Sequence, residues 1–150
     1  MITEDYVSFE VAKLLKEKGF DEQCFTYYDG IDKESINRFD RGLHFNNNSY
    51  PWGVPYNAKE AKEYVVAPTH QMAMRWLREV HNIHTEICLY KTSENDIEPK
   101  KSRKAPYYTF GVWDSTTGDN VDKRLTNDFI GDTYEEAVEA SLKYSLENLI

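Results

Sequence analysis

The clearest period in the chain lies between Val65 and Tyr90. Pro68 disfavours helix before it, and Thr69 is a good N-cap for a helix beginning at the next residue. Met72, Ala73, Trp76, Leu77 and Val80 then make one apolar stripe at helical spacing, with Gln71, Arg75, Arg78 and Glu79 turned to water. His81 falls in the last turn, where a cation suits the negative end of the dipole, and Asn82 tolerates a left-handed exit. Beyond it the period drops to two. Ile83, Thr85, Ile87 and Leu89 share one face; His84, Glu86, Cys88 and Tyr90 share the other. The spacing predicts a helix over 69–81 followed by a half-buried strand over 83–90.

Two more helices emerge from the same reasoning. Ser8 can cap a helix over 9–18 whose apolar side is Phe9, Val11, Ala12, Leu14 and Leu15, and Gly19 followed by Phe20 is a left-handed stop with an apolar fold-back. Thr133 and Glu136 make a capping box for a helix over 133–148, with Ala137, Val138, Ser141, Leu142, Ser145 and Leu149 inward. Glu139 and Lys143 read as an exposed i,i+4 pair on it. Aromatic and β-branched runs predict strands over 23–29, 64–67 and 106–114, with aromatics on both faces of the last. Residues 115–122 read as a turn, and 123–130 as a weaker third strand.

The segment 30–63 breaks the pattern. It holds Asn46, Asn47, Asn48, Pro51, Pro55, Gly42 and Gly53 among its aromatics, with room for short helical turns around 32–39 and 58–63. Connections of that length without a clear element are uncommon in a compact domain. The sum is a single α+β domain over 1–150: an antiparallel sheet covered by three main helices (9–18, 69–81, 133–148), with a long irregular insert at 30–63.

Composition narrows the function classes. At 150 residues, 40% hydrophobic and 14% aromatic, the chain can build one core and is not broadly disordered. A net charge of −8 works against whole-surface binding to nucleic acid or anionic lipid, which depends on neutralising phosphates. No run approaches the roughly 18 apolar residues of a membrane span. The opening MITEDYVSFE lacks a basic segment followed by an apolar block, so the expectation is a cytoplasmic protein. Cys24 and Cys88 make neither a disulfide framework nor a zinc cluster, and each reads as a small hydrophobe in a strand.

Candidate chemistry is sparse. The 7 glycines are too dispersed for GxGxxG or GxxxxGK, and nothing calls for a cofactor. His81-x-x-His84, with His70 eleven residues before His81, is the best metal-like spacing. A change from helix to strand between the two rings should turn them apart, so no metal is expected. Cys24 or Cys88 with any histidine could be imagined as a nucleophile pair, but no spacing selects one, and no catalytic residue is assigned. Glu135 and Glu136 are accounted for by the first turn of their helix.

Two stretches remain as candidate surfaces. Lys100, Lys101, Arg103 and Lys104 are a local basic cluster that could touch phosphates, although four bases also keep a loop solvated. Tyr50, Trp52 and Tyr56, set among amide side chains in HFNNNSYPWGVPYN, have the composition of an adaptable recognition surface. The competing reading tucks those aromatics onto the sheet as a satellite core.

Three segments, YVSFEVAKLLKEKGF, APTHQMAMRWLREVHNIH and TYEEAVEASLKYSLENLI, resemble a group of small proteins from prophages and mobile elements of gut bacteria. That resemblance implies a genomic context and carries no activity or site residue with it. SFEVAKLLKEKGF also resembles the opening helix of small winged DNA-binding domains, but no recognition-type helix comes after it. From Thr69 onward, helix, antiparallel strands and helix resemble the double-stranded-RNA-binding fold in topology. Asp132, Glu135 and Glu136 stand where such folds carry bases, which speaks against RNA binding there. The preferred expectation is a non-catalytic binding or accessory protein of phage or mobile-element origin with a protein partner. A nucleic-acid-associated protein using 100–104 comes second, and an enzyme without a recognisable motif third.

Overall fold

The computed structural model describes residues 4–29, 43–45, 64–91, 106–122 and 129–150. Among the described residues, three helices and two small antiparallel sheets make a mixed α+β architecture. In chain order the elements are α1 (Phe9–Glu17), β1 (Thr26–Asp29), β2 (Leu43–Phe45), β3 (Tyr64–Val66), α2 (His70–His81), β4 (Ile83–Tyr90), β5 (Tyr107–Asp114) and α3 (Tyr134–Asn148).

Each helix begins where a side chain can satisfy an orphan N–H. Ser8, Thr69 and Thr133 accept from the backbone of Val11, Met72 and Glu136, and Glu136 reaches back to complete the capping box. The exits are equally local. Gly19 takes φ 89 after α1, and Asn82 takes φ 57 after α2, both in the left-handed region. Phe20 folds back over α1 and is buried.

Among the described residues the strands pair in two groups. β1 lies between β2 and β3, with Tyr27 opposite His44 on one side and Val66 on the other. β4 pairs with β5 over its whole length, from Ile83 opposite Asp114 to Tyr90 opposite Tyr107. The insert therefore contributes a strand, Leu43–Phe45, where irregular chain is expected. β1 begins only at Thr26, so Cys24 sits just before the strand, buried all the same. The rest of 30–63 and residues 92–105 and 123–128 lie outside the described residues, and with them the expected helical turns and most of the expected third strand. Just past the end of that segment, Gly131 exchanges two backbone hydrogen bonds with Tyr108 of β5, both 2.9 Å.

One core runs through the described residues. Leu15, Phe20, Val65, Trp76, Leu77, Phe110, Val112, Val138, Leu142 and Leu146 are buried in it together. Both faces of β5 are covered in part, because Tyr107 and Thr109 are buried as well as Phe110 and Val112. The stripe of α2 holds for Ala73, Trp76 and Leu77 and fails at Val80, which is 56% exposed. The helical period sets where a side chain points, not whether a neighbour stands there. Leu89 fails likewise at the far end of β4 and is 61% exposed.

Candidate functional site

The residues ahead of α1 form a strap laid beside the start of α2. Tyr6 bridges Thr69, Val7 N donates to Pro68 O at 3.0 Å, and His70 N donates to Asp5 O at 2.9 Å. Tyr28 of β1 donates its hydroxyl to Val7 O at 2.8 Å. Because Ser8 must cap α1 and Thr69 must cap α2, strap and α2 bring two helix N-termini close together.

Glu139 of α3 reaches into that junction. Ser8 donates its N–H to Glu139 Oε1 at 2.8 Å and its hydroxyl to Oε2 at 2.6 Å, while His70 Nε2 stands 2.8 Å from Oε1. An ionised carboxylate can only accept, which places the ring proton on Nε2. Burial pushes the Glu139 carboxyl up, but the bonds from His70 and from both donors of Ser8 outweigh it and hold the group below its ordinary value. The Tyr28 hydroxyl is raised by burial and, secondarily, by the Glu139 charge.

Beside this cluster is an open cleft of about 510 Å³. It is lined by Asp5, Tyr6 and Ser8 of the strap, His70 of α2, and Glu135, Glu136 and Glu139 of α3. Phe129 and Ile130 add apolar surface to the lining. Glu136 is occupied: its Oε2 accepts from Asp132 N at 2.7 Å and Thr133 N at 3.3 Å. Asp5 and Glu135 are exposed at the rim.

The cluster is only partly visible in the sequence. Ser8 reads there as a cap, which it is, but its second role depends on a residue 131 positions away. The expected Glu139–Lys143 pair is not formed. Glu139 turns inward, and Lys143 instead meets Glu10 of α1 at 2.7 Å. The available signal was His70: it shares the inward face of α2 with Ala73 and Leu77, and a buried imidazole needs a partner.

The other sequence candidates are not brought together. His81 packs edge-on against Trp76 with ring centroids 4.5 Å apart, and burial lowers its pKa. His84 is exposed on β4, opposite Trp113. Among the described residues no group of three His, Cys, Asp or Glu side chains could hold a metal ion. Burial, helped by the charge of Glu22, pushes the Cys24 thiol up to about 12, and the half-buried Cys88 thiol is also raised. Such thiols are poor nucleophiles at neutral pH. Tyr50, Trp52 and Tyr56, and Lys100, Lys101, Arg103 and Lys104, lie outside the described residues. No helix of the described residues is long and apolar enough to cross a membrane. Set beside known proteins, the chain matches no family model, no curated protein and no solved structure.

Proposed function

We propose that this is a small binding or accessory protein without catalysis of its own. Its cleft receives a positively charged group on an apolar stem, such as a lysine or arginine side chain of a partner polypeptide. The observation that carries this reading is how Glu139 is used. The carboxylate that could serve as a base accepts three hydrogen bonds from Ser8 and His70, and the Ser8 hydroxyl that could serve as a nucleophile donates to that carboxylate while capping α1. Groups so committed hold a fold together. What stays open to solvent is a rim of Asp5 and Glu135 beside the apolar surface of Phe129 and Ile130. A long basic side chain matches that combination, since its stem lies on apolar surface while its charge stays wet. The net charge of −8 would steer such a partner from a distance.

Tyr50, Trp52 and Tyr56 stay in the proposal as a second partner surface, and the phage or mobile-element context as its setting, both on sequence grounds. The test is a residue-resolved NMR titration with a short lysine- and arginine-containing peptide, using the same peptide with acetylated lysines and citrullines as control. The reading expects saturable shifts at Asp5, Tyr6 and Glu135 that weaken with salt, with the acetylated control and in the D5N/E135Q variant. Shifts confined to other parts of the chain, or none, would contradict it.

A further inference from the structure

The lining of the cleft carries more than charge. Tyr6 and Phe129 bring two aromatic rings to it, alongside the carboxylates of Asp5 and Glu135. Those two acids have no side-chain partner among the described residues, whereas Glu136 is taken up by the turn ahead of α3 and Glu139 by Ser8 and His70. We infer that the cleft selects arginine over lysine in its partner, and that Tyr6 and Phe129 make the distinction. The inference rests on the reading of the cleft as a site for a basic side chain.

The physical reason lies in the difference between the two cations. A lysine ammonium is a compact, strongly hydrated point charge, which gains little by leaving water for an aromatic surface. A guanidinium is flat and weakly hydrated. Its face can lie on a ring while the N–H groups at its edge turn to carboxylates. Acids at an open rim would by themselves discriminate little, because exposed ion pairs of either kind contribute little. Rings beside unpartnered acids favour the flat cation.

Both rings are held before any ligand arrives. The strap that carries Tyr6 is anchored by the bridge to Thr69, by Val7, which is fully buried, and by the backbone bonds to Pro68 and His70. Phe129 packs on Phe110 of β5 with ring centroids 5.7 Å apart. The Tyr6 hydroxyl donates to Glu4 at 3.3 Å, so on this residue a cation meets acceptor and ring surface. Groups already fixed in place cost less ordering when a ligand binds.

The experiment is an NMR titration of the full chain with three short peptides, otherwise neutral and identical, carrying arginine, lysine or citrulline at one position. Shifts at Asp5 and Glu135 report affinity. The arginine peptide is expected to bind about fivefold tighter than the lysine peptide or more, and the citrulline peptide to give no saturable shift. In Y6L the arginine advantage should shrink to about twofold or less, with lysine affinity little changed, and F129L should act in the same direction. Y6F keeps the ring and should keep the preference. Should Y6L fold poorly, F129L and the wild-type comparison still decide. Equal affinity for arginine and lysine in the wild type would overturn the inference while leaving the basic-side-chain reading intact. An arginine preference that survives in both ring variants would overturn the role given to Tyr6 and Phe129. No saturable shift with any peptide would overturn that reading and the inference with it.

Discussion

Removing the indole of Trp76 probes the packing that the helices share. Trp76 is only 6% exposed and lies edge-on to Phe20, with ring centroids 5.4 Å apart, and to His81, at 4.5 Å. It thereby joins α2 to the turn that closes α1. Truncation to alanine loses both the transfer energy of the ring and the contacts lining the void, about 3–5 kcal/mol for a buried aromatic. That is a large part of the roughly 5–15 kcal/mol that holds a domain folded. At about 2–4 °C per kcal/mol for a chain of this size, the melting temperature should fall by about 6–20 °C. Circular dichroism during heating measures this directly.

A second readout separates lost packing from general loosening. His81 is held low because it is buried, so its imidazole should titrate closer to the ordinary histidine value in Trp76→Ala. The sign matters for stability. A depressed histidine pKa contributes stability that is present above the unfolded value and lost as pH falls through the folded one. That part of the acid sensitivity should shrink in the variant. A melting temperature within about 2 °C of wild type, with the His81 titration unmoved, would refute the packing described for α2.

Two further outcomes test the polar architecture. Thr133→Ala removes one half of the capping box and should cost about 1 kcal/mol in urea unfolding, with little change in the slope against denaturant. The side-chain carboxyl carbon of Glu139, followed by NMR, should titrate below the ordinary glutamate value. Since that pKa is depressed in the fold, its contribution to stability is complete above the unfolded value and disappears as pH falls through the folded one. Replacing Glu139 by glutamine should therefore flatten the acid limb of stability against pH.

The sequence is most informative where structure is local. The caps at Ser8, Thr69 and Thr133, and the exits at Gly19 and Asn82, depend on residues within a turn of each other, and all stand where the spacing puts them. The inward faces of α1 and α3 obey the same short-range rule, as does the burial of Trp76 and Val138 in one core. Long-range arrangement is another matter. Nothing near Val80 or Leu89 in sequence says that the fold leaves them uncovered, and the pairing of strands into two sheets depends on partners far along the chain. Glu139 shows the difference most clearly. By spacing alone its natural partner is Lys143, four residues on, yet tertiary packing offers three donors from Ser8 and His70 in a less polar setting, where a charged acceptor gains more from each bond. The cleft inherits that limit, because the strap, α2 and α3 that form it meet only in three dimensions.

Whether Glu139 is a structural clasp is tested most directly by a double-mutant cycle between Ser8 and Glu139. Ser8→Ala, Glu139→Ala and the double variant would be unfolded in urea at neutral pH. The capping loss caused by Ser8→Ala occurs in both backgrounds and cancels in the cycle, leaving the energy that the two residues share. The geometry predicts a favourable coupling of about 1 kcal/mol or more, because the Ser8 hydroxyl donates to an ionised, part-buried acceptor. Additivity within about 0.3 kcal/mol would contradict the clasp and return Glu139 to the set of groups free to act in the cleft.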